Sequence, residues 1–148
     1  MDIVSTILNA AKAAKVSGVL LLAICQHESN NFSMDYSAYD KGSPSYGVCQ
    51  VKLETGRMLG FHGNPSDLIN PKTNAKYAAQ YLSYLQSRYG ERDWLLLVAA
   101  YNSGSYHPSN RVRGCPKNLR YVRKVREKLP EGFRDRLNCG NNEFAKEE

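Results

Sequence analysis

The sequence predicts an all-α domain, and three observations support this fold class. Apolar residues recur at helical spacing along nearly the whole chain. No segment shows a convincing alternation of apolar and polar residues with period two, as a half-buried strand would. The chain has 148 residues, of which 42% are hydrophobic and 23% charged, so it can bury a core without disulfides or metals. We therefore expect one helical domain with at most a minimal β element.

The first two helices are expected at the start of the chain. The first helix presents one apolar face, formed by Ile3, Ile7, Leu8, Ala11 and Ala14. Val16-Ser17-Gly18 interrupts this pattern, and Ser17 is placed to cap a second helix. The second helix is mostly apolar and runs from Val19 to about Glu28.

A long polar loop is expected from Ser29 to Tyr46, because this stretch is rich in turn residues and has little periodicity. Loops of this length in compact domains are usually functional or disordered. Beyond it, Val51 to Leu59 predicts a short helix that ends at Gly60, and residues 64–67 predict a turn.

The clearest predicted helix begins with Asn70 as its cap and Pro71 in its first position, and it ends at Gly90. Asp93 is placed to cap a following helix that ends near residues 102–104.

A last helix is expected from about Asn118 to Leu129, with Val122 and Val125 facing inward. These elements predict a domain over residues 1–129 and a loosely held C-terminal tail over residues 130–148.

The net charge of +6 and a pI near 9.2 favour anionic partners, but charge alone does not choose among them. The longest apolar run, Val19 to Cys25, has seven residues, whereas a bilayer span needs roughly 20. We therefore expect no stable membrane insertion. Because the first four residues lack a basic region, we also expect no secretory signal and synthesis in the cytoplasm.

The cysteines are widely spaced and form no Cys-x-x-Cys pair; they are Cys25, Cys49, Cys115 and Cys139. Free thiols are the expectation, although Cys115 and Cys139 could close a C-terminal loop in an oxidising compartment. The three histidines do not stand at ligand spacing with one another or with the cysteines. We therefore expect no metal site and no cofactor.

Glu28 is the most informative single residue. Helical spacing continues the row Leu20, Ile24, Glu28, which places the carboxyl at the end of an apolar stripe. Desolvation raises the pKa of a buried carboxyl, as a general acid working near neutral pH requires. A glutamate at a helix end can equally turn into solvent or cap its neighbours, and position alone leaves both interpretations open.

Four short segments carry a resemblance to a known family: Glu28-Ser29, Gly47-Val48-Cys49-Gln50, Ala100-Tyr101-Asn102-Ser103-Gly104 and Tyr121-Val122. In order and approximate spacing they resemble the motifs of the soluble lytic transglycosylase (SLT) family of the lysozyme superfamily, in the single-domain form found in bacteriophages. The resemblance covers about residues 16–129. Each motif alone is weak, and four in register make a strong signal.

The resemblance implies a lysozyme-like helical domain of the goose-type and SLT kind, with the long loop beside the cleft. It implies cleavage of the β-1,4 bond between N-acetylmuramic acid and N-acetylglucosamine in peptidoglycan, without water, to give 1,6-anhydromuramoyl ends. Glu28 maps onto the single catalytic carboxylate, which acts first as acid and then as base.

The resemblance also implies a set of glycan-binding residues: Ser43, Ser45, Gln50, Tyr101, Asn102 and Tyr121. Among them Tyr101 is expected to lie near Glu28 and orient its carboxyl. Either Ser43 or Ser45 is expected to contact the N-acetyl group, and the choice stays open because the interval before Gln50 is longer than in the family. Each residue has a simpler role, since tyrosines pack in cores and amides satisfy turn backbone.

One motif departs from the family pattern. Cys49 stands where the family usually has methionine, so the local cleft wall is expected to be repacked around a smaller side chain. A nucleophilic thiol is disfavoured, because no histidine can be paired with Cys49 from the sequence.

A hydrolytic muramidase similar to goose-type lysozyme is the alternative among glycosidases. This chemistry needs a second carboxylate, for which Asp35 and Asp40 in the loop are the candidates. Turn formation is the simpler role for both residues.

A nucleic-acid-binding module is the alternative from another class of protein. Residues 111–136 hold ten basic and three acidic side chains, a net charge of +7. A basic helix with Tyr121 nearby is compatible with phosphate contact, and so is a solvated face attracted to anionic cell-wall polymer. Because the motifs favour peptidoglycan, we expect glycan strands and no nucleic acid as the partner.

The expected substrate lies outside the cytoplasm, so the protein has to be released or delivered to reach it. We expect a monomer that reaches periplasmic peptidoglycan after release or delivery, with a holin or a virion or secretion component as its partner. The sequence does not distinguish host lysis from local penetration of the wall.

Overall fold

The computed structural model describes residues 2–33, 37–40, 43–90, 93–111 and 114–134. Within these ranges helices dominate, which confirms the predicted lysozyme-like helical fold class. The helices are α1 (Ile3–Ala14), α2 (Gly18–Glu28), α3 (Leu53–Met58), α4 (Pro71–Tyr89), α5 (Trp94–Ser103), α6 (Leu119–Arg126) and α7 (Glu131–Arg134). The strands are β1 (Ser37–Asp40), β2 (Ser43–Tyr46) and β3 (Val51–Lys52), and a 3-10 helix spans Pro65–Ile69.

The chain divides into two compact units, Met1–Tyr84 and Leu85–Glu148. In the first unit, α1 packs against the mostly apolar helix α2, and Ile7 of α1 is completely buried. Asp2 caps α1 by accepting from the Ser5 N–H at 2.8 Å, and Ser17 caps α2 by accepting from the Leu20 N–H at 3.1 Å. The predicted bounds of both helices are confirmed.

The polar stretch before residue 47 is not simply a loop. β1 and β2 pair antiparallel, with Ser37 opposite Tyr46, and β3 joins β2 to make a three-stranded sheet in the order β1-β2-β3. Pro44 is tolerated because it lies opposite Tyr39 of β1, beyond the part of β2 that pairs with β3. The expected lack of structure is therefore wrong for these strands, although the sheet stays within the predicted minimal β element.

The sequence predicted a helix from Val51 to Leu59. The first two of these residues instead form the strand β3, and helix α3 begins at Leu53. The predicted turn at residues 64–67 is the start of the 3-10 helix. Asn70 then caps α4 as expected, since its Oδ1 accepts from the N–H groups of Lys72 and Thr73 at 3.0 and 3.2 Å.

The second unit contains α5, α6 and α7. Asp93 caps α5 by accepting from the Leu95 N–H at 3.1 Å, and Gly104 ends the helix in the left-handed conformation, as predicted. The first residues of the predicted tail form α7, where the Phe133 ring packs edge-on against Trp94 at a centroid distance of 6.2 Å. Residues 135–148 lie outside the described ranges, and the limits of the predicted domain stay a prediction.

Candidate functional site

Glu28 is the last residue of α2, as the sequence predicts. Its side chain is partly buried, whereas Ile24 and Cys25 in the preceding turn are completely buried. The carboxyl therefore stands where the apolar stripe of the helix meets solvent. A substrate that approaches from solvent has access to such a carboxyl, as a general acid requires.

A sharp turn follows Glu28 and is held by Ser29. The Ser29 side chain is buried, and its Oγ donates to the Cys25 carbonyl at 2.8 Å and accepts from the Phe32 N–H at 2.8 Å. Asn30, Asn31 and Phe32 all have positive φ values of 49°, 65° and 67°. A positive φ is unfavourable for residues other than glycine, and three such residues in succession strain the backbone of this turn. Ser29 therefore holds a strained turn directly beside the predicted catalytic residue.

The second motif, residues 47–50, forms a tight turn between β2 and β3. Gly47 has a φ of +77° and Gln50 a φ of +50°. The Gln50 Nε2 donates to the Gly47 carbonyl at 3.0 Å, and the Gln50 N–H donates to the same carbonyl at 3.1 Å. Gln50 thus has the simpler role of satisfying turn backbone, and this role fixes the direction of its side chain.

Asn74 of α4 holds this turn by hydrogen bonds, and no motif in the sequence predicted this role. Its side chain is completely buried. The Oδ1 accepts from the Cys49 N–H at 2.7 Å, and the Nδ2 donates to the carbonyls of Tyr46 and Leu68, each at 2.7 Å. One amide therefore connects the second motif, the end of β2 and the 3-10 helix.

Cys25 and Cys49 form a disulfide with an S–S distance of 2.08 Å, so the expectation of free thiols is wrong for this pair. Both side chains are completely buried. The bond joins α2, one turn before Glu28, to the residue next to Gln50. It closes a loop with a sequence separation of 24 residues, which is worth about 3.5 kcal/mol of stability through the lower entropy of the unfolded chain.

Cys115 is buried, and Cys139 lies outside the described residues, so the alternative pairing of these two cysteines stays a prediction. Burial raises the pKa of the Cys115 thiol, and the nearby Arg123 guanidinium opposes that rise. A thiol in this state is slow to react at neutral pH, because the thiolate is the reactive form. Cys115 is therefore an inert cysteine in the second unit.

Gly47→Ala is expected to lower the free energy of unfolding by about 3 kcal/mol, because a Cβ there overlaps the Asn74 amide and the Leu68 carbonyl at a positive φ. Gly104→Ala is the matched control, since Gly104 has a φ of +85° and none of the described residues has an atom within 4 Å of its Cβ position. Its expected cost is the conformational part alone, about 1 kcal/mol. Chemical denaturation of both variants measures the difference, and equal losses would contradict the described close contact.

The next candidate site residues are two serines and two aspartates from the stretch before residue 47. Ser45 is buried, with 8% of the residue's surface exposed, and lies opposite Ala38 and Lys52 in the sheet. Ser43 lies opposite Asp40 at the other end of β2. The side chains of Ser43 and Asp40, and the whole of Asp35, lie outside the described residues, so the choice of serine and the role of either aspartate stay predictions.

The third motif ends α5 in the second unit. Tyr101 is buried, with 6% of its surface exposed, and Asn102 is exposed. Asn118, which the sequence predicted only as the start of a helix, donates through its Nδ2 to the Asn102 Oδ1 at 2.9 Å and to the Ala99 carbonyl at 3.0 Å. Asn118 thus links the end of α5 to the start of α6. Because it donates to the Oδ1 of Asn102, the Nδ2 of Asn102 faces away from Asn118.

Helix α6 carries Tyr121 on its buried face, where 9% of the tyrosine is exposed beside the buried Val122 and Val125. The opposite face is basic and exposed at Arg120 and Lys124. Cations near a helix C-terminus are also favourable for the helix itself. A solvated basic face is therefore sufficient to explain this part of the segment.

The part of the chain that the structure describes contains neither a helix that could span a membrane nor a cluster of side chains that could hold a metal ion. None of its helices combines the length and the hydropathy that crossing a membrane requires. Nor does any group of three or more His, Cys, Asp or Glu side chains in these residues have the geometry to hold a metal ion. Outside the motifs, burial raises the pKa of Tyr106, with the Asp93 carboxylate as the next cause.

The sequence model of the transglycosylase SLT domain family matches residues 5–118, more than half of the chain. The chain belongs to this family. Membership supports peptidoglycan lytic transglycosylase activity in general. Comparisons with curated proteins and with solved structures gave no match.

The matched range of the SLT domain contains Glu28, the Gly47–Gln50 turn and the end of α5. It also contains the buried Asn74 that holds the turn. Tyr121 lies beyond its end. The expected roles of Tyr101, Asn102 and Tyr121 in binding glycan stay predictions.

Proposed function

We propose that this SLT domain cleaves the bond between N-acetylmuramic acid and N-acetylglucosamine in peptidoglycan, with Glu28 as its acid and base. The family match over residues 5–118 carries the proposal. The position of Glu28 supports it, because the carboxyl ends an apolar helix, keeps access to solvent and lies beside the Ser29 turn.

The reaction needs one carboxyl that changes its protonation state twice. The protonated Glu28 gives its proton to the glycosidic oxygen as the bond from C1 of the muramoyl residue breaks. The resulting carboxylate then takes the proton of the muramoyl 6-hydroxyl while O6 bonds to C1. Glu28 returns to its protonated form, no water is consumed, and one product ends in a 1,6-anhydromuramoyl group.

The proposed role of the Gly47–Gln50 turn is to present polar groups to the sugar in a fixed direction. The Cys49 N–H is held by Asn74 and the Gln50 amide is held on the Gly47 carbonyl. A preorganised wall loses little entropy when a glycan binds. We assign Gln50, and Ser43 or Ser45 beside it on β2, to glycan binding on this ground.

The proposed role of the third motif is hydrogen bonding by Asn102. Because Asn118 donates to its Oδ1, the Nδ2 of Asn102 is the end that donates to a hydroxyl or an N-acetyl carbonyl of the substrate. Tyr101 and Tyr121 are mostly buried, so their rings act in packing and only their hydroxyls are proposed to serve the substrate.

The proposed place of action is periplasmic peptidoglycan after release or delivery of the protein. The Cys25–Cys49 disulfide supports an oxidising compartment, because such bonds are rare in the reducing cytoplasm. Delivery by a holin, or by a virion or secretion component, stays a prediction.

The substrate class is tested by incubating the purified protein with purified sacculi and, separately, by titrating its binding to duplex and single-stranded DNA against salt. We expect soluble glycan fragments from sacculi, and DNA affinity that is lost as salt rises and shows no sequence preference. Intact sacculi together with salt-resistant DNA binding would contradict the proposal and favour the nucleic-acid-binding alternative.

A further inference from the structure

The disulfide lies between the two segments of the first unit that carry Glu28 and Gln50. Cys25 precedes Glu28 by three residues on α2, and its carbonyl also accepts from the Ser29 N–H at 3.0 Å and the Ser29 Oγ at 2.8 Å. The sulfur bond and the turn after Glu28 therefore share one anchoring residue. Any movement of Cys25 is passed to the end of the helix.

Cys49 is held on its other side by hydrogen bonds. Its N–H donates to the buried Asn74, and the neighbouring Gln50 bonds back to Gly47. Asn74 itself is fixed in the first turn of α4, where its N–H donates to the Asn70 carbonyl at 2.8 Å. The turn is thus fixed to α4 by hydrogen bonds and to α2 by the covalent bond.

We propose that the Cys25–Cys49 disulfide positions Glu28 relative to the Gly47–Gln50 turn, and that the enzyme reaches full activity only when this bond has formed. The inference rests on the proposed function of Glu28. Without the bond, α2 and the turn lose the covalent link that fixes the spacing of the two segments. Because general acid catalysis depends on hydrogen-bond geometry, a small displacement of Glu28 costs a large factor in rate.

Formation of the bond is an ordinary thiol–disulfide exchange. The two cysteine thiols lose two protons and two electrons, and a disulfide oxidant, a small molecule or a protein, takes them up and leaves as two thiols. The cytoplasm keeps thiols reduced and the compartment outside it does not. A chain held in the cytoplasm is therefore expected to have low activity until it reaches the side of the membrane where peptidoglycan lies.

The test compares the full-length protein with the bond closed, open and removed. The wild type is assayed oxidised, and again after reduction and alkylation of the released thiols. The double variant Cys25→Ala/Cys49→Ala removes the bond, and Cys115→Ala is the matched control because it replaces another buried cysteine and leaves the Cys25–Cys49 bond in place. Activity on solubilised glycan strands is expressed per folded molecule, with the folded fraction measured by circular dichroism at low temperature.

We expect the reduced wild type and the double variant to lose at least tenfold in kcat per folded molecule. Cys115→Ala should match the wild type and lose activity on reduction in the same way. The double variant should not respond to reductant. A purely structural bond changes the folded fraction and leaves kcat per folded molecule at the wild-type value.

Equal kcat for the open and closed forms would overturn the inference and leave the proposed function intact. Complete loss of helical signal on reduction would also overturn it, since the bond would then hold the whole fold and not the site. An oxidised wild type that cleaves no glycan would instead contradict the proposed function itself.

Discussion

Replacement of Glu28 by glutamine is expected to abolish peptidoglycan cleavage without loss of stability. Glutamine keeps the size and polarity of the side chain but neither gives nor takes a proton at the glycosidic oxygen. Loss of general acid–base catalysis is worth at least about a hundredfold in rate. The clearing of sacculi suspensions by equal amounts of wild type and variant measures this factor.

The thermal stability of Glu28→Gln carries independent information. Glu28 ends α2, where the partial negative charge of the helix C-terminus disfavours a carboxylate. We therefore expect the variant to unfold at the same temperature as the wild type or slightly above it. A carboxyl placed at an unfavourable helix end is what a site selected for chemistry would show.

Glu54→Gln is the matched control for this experiment. Glu54 lies in the same unit as Glu28 and allows the same glutamate-to-glutamine substitution, but it is exposed in the first turn of α3. There its charge favours the helix, so the control should lose a few tenths of a kcal/mol in stability and keep full activity. Equal loss of activity in both variants would show that Glu28 has no special role.

Asn74→Ala is expected to have the largest effect on stability, a loss of about 4 kcal/mol in the free energy of unfolding. The substitution removes the partner of a buried N–H and of two carbonyls at once. Each buried polar group left without a partner costs about 1 to 3 kcal/mol. Urea denaturation followed by circular dichroism measures this loss.

Asn74→Asp tests whether the hydrogen bonds, and not the volume, account for the effect. An aspartate keeps the acceptor for the Cys49 N–H but places a carboxylate against the Tyr46 and Leu68 carbonyls. We expect it to destabilise the protein at least as much as alanine, whereas the exposed Asn110→Ala should cost less than about 0.5 kcal/mol. A mild effect of both substitutions at residue 74 would contradict the described network.

The helices were predictable because their signals are local. Ser17, Asn70 and Asp93 each cap the helix that the sequence assigned to them, and Gly104 ends α5 as expected. Caps and apolar periodicity act over a few residues, so they can be read without knowledge of the fold. The same locality explains why Glu28 was placed correctly at the end of α2.

The disulfide and the Asn74 network depend on contacts that are distant in sequence. Four cysteines allow three pairings, and spacing does not choose among them. The sequence contains one signal for the role of Asn74. This residue continues the row of Ala78 and Leu82 on the buried face of α4, where an amide needs hydrogen-bond partners. That row predicts a hydrogen bond but does not identify Cys49, Tyr46 and Leu68 as the partners.

The strands β1 and β2 were missed because their sequences carry weak strand propensity. Serine, aspartate and proline occupy most of the eight positions. Pairing between the two strands and with β3 determines their conformation, and such pairing overrides local preference.

Mass spectrometry of the muropeptides released from sacculi decides whether this SLT domain breaks the glycan chain through Glu28 and without water, as proposed. Wild type and Glu28→Gln are digested side by side under oxidising conditions. We expect 1,6-anhydromuramoyl ends from the wild type and essentially no products from the variant. Products that carry only reducing ends, heavier by one water, or equal yields of anhydro ends from both proteins, would contradict it.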